Sequence, residues 1–438
     1  MAARLLVLLL MLLLCSVVII AASARKKKNT SLPLPVPDGP DPCAGRRIHI
    51  RRLPASFNTH LLLYCATAFP LADPDSKSVP ACASVANHGL GPRTHNGTRS
   101  WYRTDARLLE PFFHRRLLEH DCLVSRPAQA DAVFLPYYAA LDALPYVLHP
   151  DLLNSSALHG LPLARFLARH QPRVLARRHG HDHFFLLAGT AWDYSQPQDA
   201  DPRWYGTTSP TSPSSRSSRA PPAPDLLPPV LAAAPPVLDR PRAPLPPSRP
   251  NIRGAILAEC ANRTSAVCTV VDCSAAACGL NPVAYMRPML KANFCLQPPG
   301  DSPSRRSTFD AIVAGCIPVF FEHAAARAHY GWHLPRGRYD QFSVTIPKES
   351  VVMGDVRIAD VLAAVPEDKV ARMRERVLEM APRVVYRRHG SAADLREATK
   401  DAVDLAVEGV LRRIRRRVSA LEDGHPDAIY ELEDDDDD

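Results

Sequence analysis

The stretch Asn293-Phe-Cys-Leu-Gln-Pro-Pro-Gly-Asp-Ser-Pro-Ser-Arg-Arg-Ser-Thr-Phe-Asp-Ala-Ile-Val-Ala-Gly-Cys-Ile-Pro-Val-Phe-Phe321 reads as a strand, a Gly-Asp-Ser turn, a helix and a second strand. Gly300 and Ser302 free backbone N–H groups at the start of that helix, where the dipole favours an anion. Arg305 and Arg306 fall in the first turn, with Ser307 beside them. Positive side chains there oppose the helix dipole, and a diphosphate would repair a placement that stability alone disfavours. Asp310 lies one turn further on, where a carboxylate can take two hydrogen bonds from a ribose diol. Gly315 and Pro318 set the tight return to the second strand. The same residues also fit an ordinary βαβ unit with a polar helix cap, so both readings stay open at this point. No G-x-G-x-x-G follows a strand and no Walker-type lysine loop occurs, which argues against a dinucleotide cofactor.

Outward from this unit the same alternation continues. Residues 251–260, 305–314, 355–365, 368–380 and 392–417 read as helices, and 316–321 and 342–346 as strands. Toward the N-terminus, 47–51, 132–136 and 183–188 read as strands, with helices over 103–118 and 161–178. Strands alternating with helices favour parallel sheets covered on both faces. The chain of 438 residues has room for two such halves, drawn here at 43–206 and 251–420, with a solvated acidic tail over 421–438. The basic run Arg412–Arg417 reads as a solvated helix face rather than a nucleic-acid patch. The net charge of +8 does not by itself predict nucleic-acid binding.

Between the halves, Thr207–Pro250 departs from this pattern. Proline totals 44 in the chain, and this segment concentrates it while holding no aromatic residue. Such a composition has little to bury and reads as a disordered linker, or as the translation of a shifted frame in place of sheet-forming sequence.

Leu5–Ala22 is apolar except for Ser16 and is flanked by Arg4 and by Arg25-Lys26-Lys27-Lys28. At 1.5 Å per residue it spans about 27 Å, enough for a thin bilayer. A cleaved signal peptide ending near Ala22-Ser23-Ala24 and a retained signal-anchor over 1–28 are the two readings. Either one delivers the rest of the chain, beginning with a stem at 29–42, to the secretory lumen. Sequons at Asn29, Asn96, Asn154 and Asn262 agree with that compartment. So do the ten cysteines outside the apolar run, which read as disulfides rather than as a zinc cluster.

Phe294–Phe321 resembles the nucleotide-sugar segment of exostosin-type glycosyltransferases, most closely the plant xyloglucan galactosyltransferase subgroup. Several further stretches are similar in order: Cys43-x-Gly45, Asn87-His-Gly-Leu-Gly91, Trp101-Tyr102, Phe134-Leu-Pro-Tyr-Tyr-Ala-Ala-Leu-Asp142, Gly180-His-Asp-His-Phe184, Ala191-Trp-Asp193, Asn251-Ile-Arg-Gly254 and Tyr330-Gly-Trp-His-Leu-Pro335. The resemblance implies a GT-B-like fold, two Rossmann-like domains facing a cleft, behind an N-terminal transmembrane signal-anchor. It implies a Golgi type II membrane protein that moves a sugar, with inversion, from a UDP-sugar onto a cell-wall polysaccharide such as xyloglucan. Golgi glycosyltransferase complexes are a further partner class.

Inversion needs one base to activate the acceptor hydroxyl. Asp142 and Asp193, each beyond the carboxyl end of a strand, are the candidates, while Asp182 and His183 precede their strand and read as structural. The donor-binding set is Gly300, Ser302, Arg305, Arg306, Ser307 and Asp310. Tyr137, Tyr138 and Trp192, with Trp101, could stack on sugar rings. No metal is expected, because leaving-group stabilisation falls to basic side chains and helix dipoles, and Asp73/Asp75 and Asp199/Asp201 read as surface carboxylates. Family members carry a sheet-forming stretch where this chain has Thr207–Pro250. A catalytically inactive relative that at most binds UDP-sugar, glycan or Golgi partners is therefore the alternative to an active transferase.

Overall fold

Short runs of apolar and β-branched residues become parallel ladders in two places. The computed structural model describes residues 41–68, 87–91, 93, 102, 106–148, 160–170, 176–188, 251–264, 267–271, 282–299, 305–322, 326–327, 329–387 and 400–424. The apolar run 5–22, Asn29, Asn96, Asn154, Trp101, Trp192, Asp193, the segment 207–250, Gly300 and Ser302 lie outside the described residues. Among the described residues, no helix is long and apolar enough to cross a membrane. Contacts divide the chain into Met1–Ala44 and Gly45–Asp438. In the first unit, Asp41 closes a turn by accepting from Cys43 N at 2.9 Å and from Ala44 N at 3.0 Å.

Among the described residues, the second unit holds two three-stranded parallel sheets. In the first, β1 (Ile48–Ile50), β2 (Ala132–Phe134) and β3 (His183–Phe184) lie in that order, with Ile48 opposite Ala132 and Val133 opposite His183. Helices α1 (Thr59–Ala68), α2 (Leu109–Leu117), α3 (Ala139–Leu148) and α4 (Leu161–His170) connect and flank them. The apolar face of α2, carrying Leu109, Phe112, Phe113 and Leu117, packs with Ile48, Ala132 and Phe134 into one core. The helix expected over 103–118 is shorter, because a 3-10 turn at Ala106–Leu108 precedes it. The strand expected over 183–188 pairs only at His183–Phe184, and its continuation leaves the ladder.

The second sheet orders β4 (Phe294–Gln297), β5 (Ile317–Phe320) and β6 (Val344–Thr345). Its helices are α5 (Ile252–Ala261), α6 (Pro282–Lys291), α7 (Arg306–Val313), α8 (Tyr339–Phe342), α9 (Lys348–Met353), α10 (Ile358–Ala363), α11 (Glu367–Met380) and α12 (Ala402–Glu422). Asn251 caps α5 by accepting from Gly254 N at 2.8 Å.

Pro318, expected in the return, sits inside the central strand β5. Ile317 N donates toward β4, to Asn293 O, so the next residue would aim its N–H at β6. β6 pairs only with Val319 and Phe320, and the missing proline donor therefore breaks no ladder bond. Phe342, expected to start the third strand, instead ends α8. Gly354, at φ 84°, closes α9 in the left-handed region and delays α10 to Ile358.

Helix α12 begins at Ala402 rather than at 392. Asp401 caps it through a reciprocal box with Asp404, accepting from Asp404 N at 2.9 Å while its own N–H donates to the Asp404 carboxylate at 3.1 Å. The helix buries Val403, Ala406, Val407, Leu411, Ile414 and Val418 in the core of the first sheet, although it follows the second in sequence. Ala402 itself packs with the second sheet's core. Three contacts fix this crossing. Arg116 of α2 reaches Asp401 at 3.1 Å, both side chains being almost fully buried. His333 Nε2 donates to Ala402 O at 3.0 Å. Gly409 lies so close to Trp332 that a Cβ there would stand 2.2 Å from the indole. Of the basic run, Arg413 lies over that same indole and Arg415 donates to Gly45 O.

Removing one partner of a buried ion pair strands the other, so Arg116→Ala should lower unfolding free energy by about 3–5 kcal/mol in a denaturant titration. Burial holds His333 down at about 4, below the unfolded imidazole. Its contribution to stability is complete above about pH 6.5 and is lost as pH falls toward 4. Denaturant unfolding followed across that window should show His333→Gln taking up about one proton fewer on unfolding than the parent chain.

Candidate functional site

Parallel strands end together, and the helix that follows each one starts at that same edge. At the carboxyl edge of β4 and β5 this produces a small pocket walled by Gln297, Arg305, Thr308, Phe321, Glu322 and Tyr330 among others. Arg305 is the N-cap of α7 and has no side-chain cap, its N–H donating instead to Tyr330 Oη at 2.5 Å. Burial pushes the Tyr330 hydroxyl up to about 12, so it stays a neutral donor and acceptor. Ser307 Oγ donates to Gln297 Oε1 at 2.5 Å and ties the first turn of α7 to the end of β4.

Arg306 turns away from the helix start. Its Nη2 donates to Tyr285 Oη at 2.6 Å, its Nε lies 3.5 Å from Asp310 Oδ2, and its Nε and Nη1 are buried without a hydrogen-bond partner. Asp310 is buried, and desolvation raises its carboxyl above the ordinary range against the opposing pull of Arg306. The structure therefore gathers Arg305, Arg306, Ser307 and Asp310 on one turn and a half of helix. It adds Tyr285, Gln297, Glu322 and Tyr330, which the sequence reading did not single out. Only the position of Glu322, directly after an apolar strand run, could have marked it. A disulfide, Cys295–Cys316, joins β4 to the residue before β5, and Cys260 pairs with Cys268. Among the described residues, no cluster of His, Cys, Asp and Glu is arranged to hold a metal.

On the first sheet, Asp142 lies in the first turn of α3, beyond the carboxyl end of β2. It is half-buried and accepts from Tyr137 Oη at 2.5 Å and from Gly160 N at 3.4 Å. Tyr137 and Tyr138 are buried, so their rings pack rather than present a face to solvent. Tyr138 Oη pairs with His114 Nδ1 at 3.0 Å, and burial moves the two apart, the phenol up to about 12 and the imidazole down to about 4.

Glu110, on α2, was not anticipated. It is fully buried and accepts from Ala140 N with both oxygens, at 3.0 and 3.1 Å, and from Ala188 N at 2.8 Å. One carboxylate thereby joins the segments that follow β2 and β3, and burial raises it well above the usual carboxyl range. Asp182 is wholly buried at the amino edge of β3, paired with Arg177 at 3.0 Å and with His183 at 2.8 Å, far from the carboxyl edge. Asn262 is the C-cap of α5 and exposed.

Residues 42–219 and 240–361 match the Exostosin GT47 domain. The chain is 48% identical to the probable xyloglucan galactosyltransferase GT19 of Arabidopsis thaliana, over 86% of this chain and 92% of that protein. It is 29% identical to the xyloglucan galactosyltransferase MUR3 of the same plant, over 90% of this chain and 66% of that protein. A third relative, at 28% identity over 86% of this chain and 59% of its own length, is the xyloglucan-specific galacturonosyltransferase 1.

Because Asp310 is the carboxylate beside a largely buried Arg306, Asp310→Ala should destabilise the fold by about 3 kcal/mol. Denaturant unfolding of this variant beside the parent chain checks that expectation.

Proposed function

Since the chain belongs to the exostosin GT47 family of glycosyltransferases, we propose that it moves galactose from UDP-galactose onto xyloglucan, with inversion at the anomeric carbon. The observation that carries the donor side is the pocket at the carboxyl edge of β4 and β5, with Arg305 on its wall at the start of α7. There the helix dipole and Arg305 favour the diphosphate, while Tyr330 and Ser307 hold that turn in place. The acceptor and galactose come from the names of the relatives, one named a probable xyloglucan galactosyltransferase and one a xyloglucan galactosyltransferase.

In one displacement the acceptor oxygen bonds to the anomeric carbon as that carbon's bond to the phosphate oxygen breaks. The hydroxyl proton passes to a carboxylate base and UDP leaves. Asp142 is the described candidate for that base: it follows β2, is half-buried, and receives the Tyr137 hydroxyl that fixes its orientation. Asp193 remains the second candidate. Basic side chains and the α7 dipole supply the stabilisation of UDP, and no metal is invoked. The apolar run 5–22 and the sequons support a single-pass type II protein with its C-terminal part lumenal, and the Golgi membrane is what the resemblance to exostosin-type glycosyltransferases implies.

A second reading, an inactive relative that still binds UDP, is favoured by one observation. The family match breaks between 219 and 240, inside the proline-rich segment. Assay of the lumenal part against UDP-sugars and wall oligosaccharides separates the two. Galactosyl transfer to xyloglucan supports the first reading, and UDP binding without transfer to any acceptor supports the second. Arg305→Ala and Asp310→Ala should each weaken UDP binding about ten- to a hundredfold, as loss of a charge-assisted hydrogen bond does. Calorimetric titration of folded variants reads this directly, and unchanged affinity in both would remove these residues from the donor site.

A further inference from the structure

The first N–H groups of a helix have no intrahelical partner. Ala140 is the second residue of α3, and its N–H is taken by the Glu110 carboxylate, which comes from α2, 30 residues earlier in the chain. Tyr138, the residue before α3, has its hydroxyl 3.0 Å from His114 Nδ1, and His114 lies one helical turn from Glu110 on the same face of α2. Two side chains of α2 therefore grip the segment that follows β2.

The same carboxylate also takes Ala188 N at 2.8 Å, four residues past the end of β3. Glu110 thus sets the spacing between two chain segments that leave the carboxyl edge of the first sheet, the edge where open α/β sheets bind their ligands. Asp142 is two residues beyond Ala140, in the first turn of α3. The clamp fixes the backbone that carries Asp142, while the Tyr137 hydroxyl fixes its side chain. Burial raises the Glu110 carboxyl and the charge of Asp142 adds to it, so the two groups are within electrostatic reach of each other. A carboxylate at 1% exposure is costly to bury. What Glu110 holds with it are the segments at the ligand edge, not the strands themselves.

We propose that Glu110 is a positioning residue for sugar transfer: by fixing the start of α3 against the segment after β3, it holds Asp142 where the acceptor's proton is taken. This rests on the reading of Asp142 as the base.

The test is steady-state galactosyl transfer by the whole chain from UDP-galactose to xyloglucan oligosaccharides, with UDP affinity measured by calorimetry beside it. Glu110→Gln keeps an oxygen at the reach both N–H groups need, and should retain most of the parental rate. Glu110→Asp keeps the charge but is one methylene shorter and releases the clamp. Its kcat should fall about ten- to a hundredfold, as a small misplacement of a reacting group causes, while UDP affinity, set on the other sheet, keeps its parental value. Asp142→Asn should lower kcat at least as far, and adding Glu110→Asp to it should cost little more, because both act through one group. Parental kcat in Glu110→Asp overturns the proposal. So does a Glu110→Gln chain as slow as Glu110→Asp, a double variant in which the two losses multiply, or a Glu110→Asp chain that loses UDP binding as well. Parental kcat in Asp142→Asn removes the base and this assignment with it, and leaves the transferase reading standing. A parent chain that transfers no galactose would instead bring down that reading, and this assignment with it.

Discussion

The buried pair between Arg116 and Asp401 is the constraint on which the rest of the second unit depends. Asp401 Oδ2 receives Arg116 Nη2 at 3.1 Å and Arg387 N at 2.8 Å, while Oδ1 receives Asp404 N at 2.9 Å. A single carboxylate therefore caps α12, holds the chain entering it, and joins α2 of the first sheet to a helix that follows the second. Burying two charges is expensive, and the Coulombic return alone does not guarantee a stabilising net. The pair fixes where α12 starts, and so which of its residues meet the first core. Once Ala402 is placed, the spacing of 3.6 residues per turn brings Val403, Ala406, Val407, Leu411, Ile414 and Val418 onto one face. Arg387 adds a second link, to Asp404 at 2.9 Å. Repulsion from Asp401 joins desolvation in raising the Asp404 carboxyl.

The pocket on the second sheet follows from the same economy of position. Parallel strands place every following turn at one edge, so Gln297, Arg305 and Glu322 converge although 25 positions separate the first from the last. The polar groups around this edge are mostly committed to one another: Ser307 to Gln297, Tyr330 to Arg305 N, and Arg306 to Tyr285 and Asp310. Such pairing fixes rotamers before any ligand arrives, which is the structural basis of preorganised binding. The carboxyl edge of the first sheet is built alike, with Glu110 clamping the segments after β2 and β3 and Tyr137 orienting Asp142.

Much of this was legible in the residues. Arg305–Ala314 read as a helix between two strands because apolar residues recur at helical spacing after a Gly-Asp-Ser turn, and α7 occupies Arg306–Val313. The cysteines read as disulfides from the secretory context, and among the described residues Cys260 pairs with Cys268 and Cys295 with Cys316. Less was legible where a neighbour overrules local preference. Pro318 argues against a central strand until β6 is seen to begin one residue beyond it. Glu110 was not singled out in the sequence, because its partners, backbone N–H groups of two distant segments, meet it only in the packed core.

By itself, then, the sequence determined the alternation of strand and helix, the two halves, the family, and the arginines at the start of one helix. These depend on local periodicity and on residues close in the chain, which a linear pattern records. Only the tertiary structure decided that α12 completes the first core, that Asp310 serves Arg306, and that Glu322 lines the pocket. Each of those outcomes depends on which groups end up buried together. Burial sets whether a carboxylate must find a partner inside the protein or remains available to a ligand, and that is a property of the packed fold, not of the order of residues.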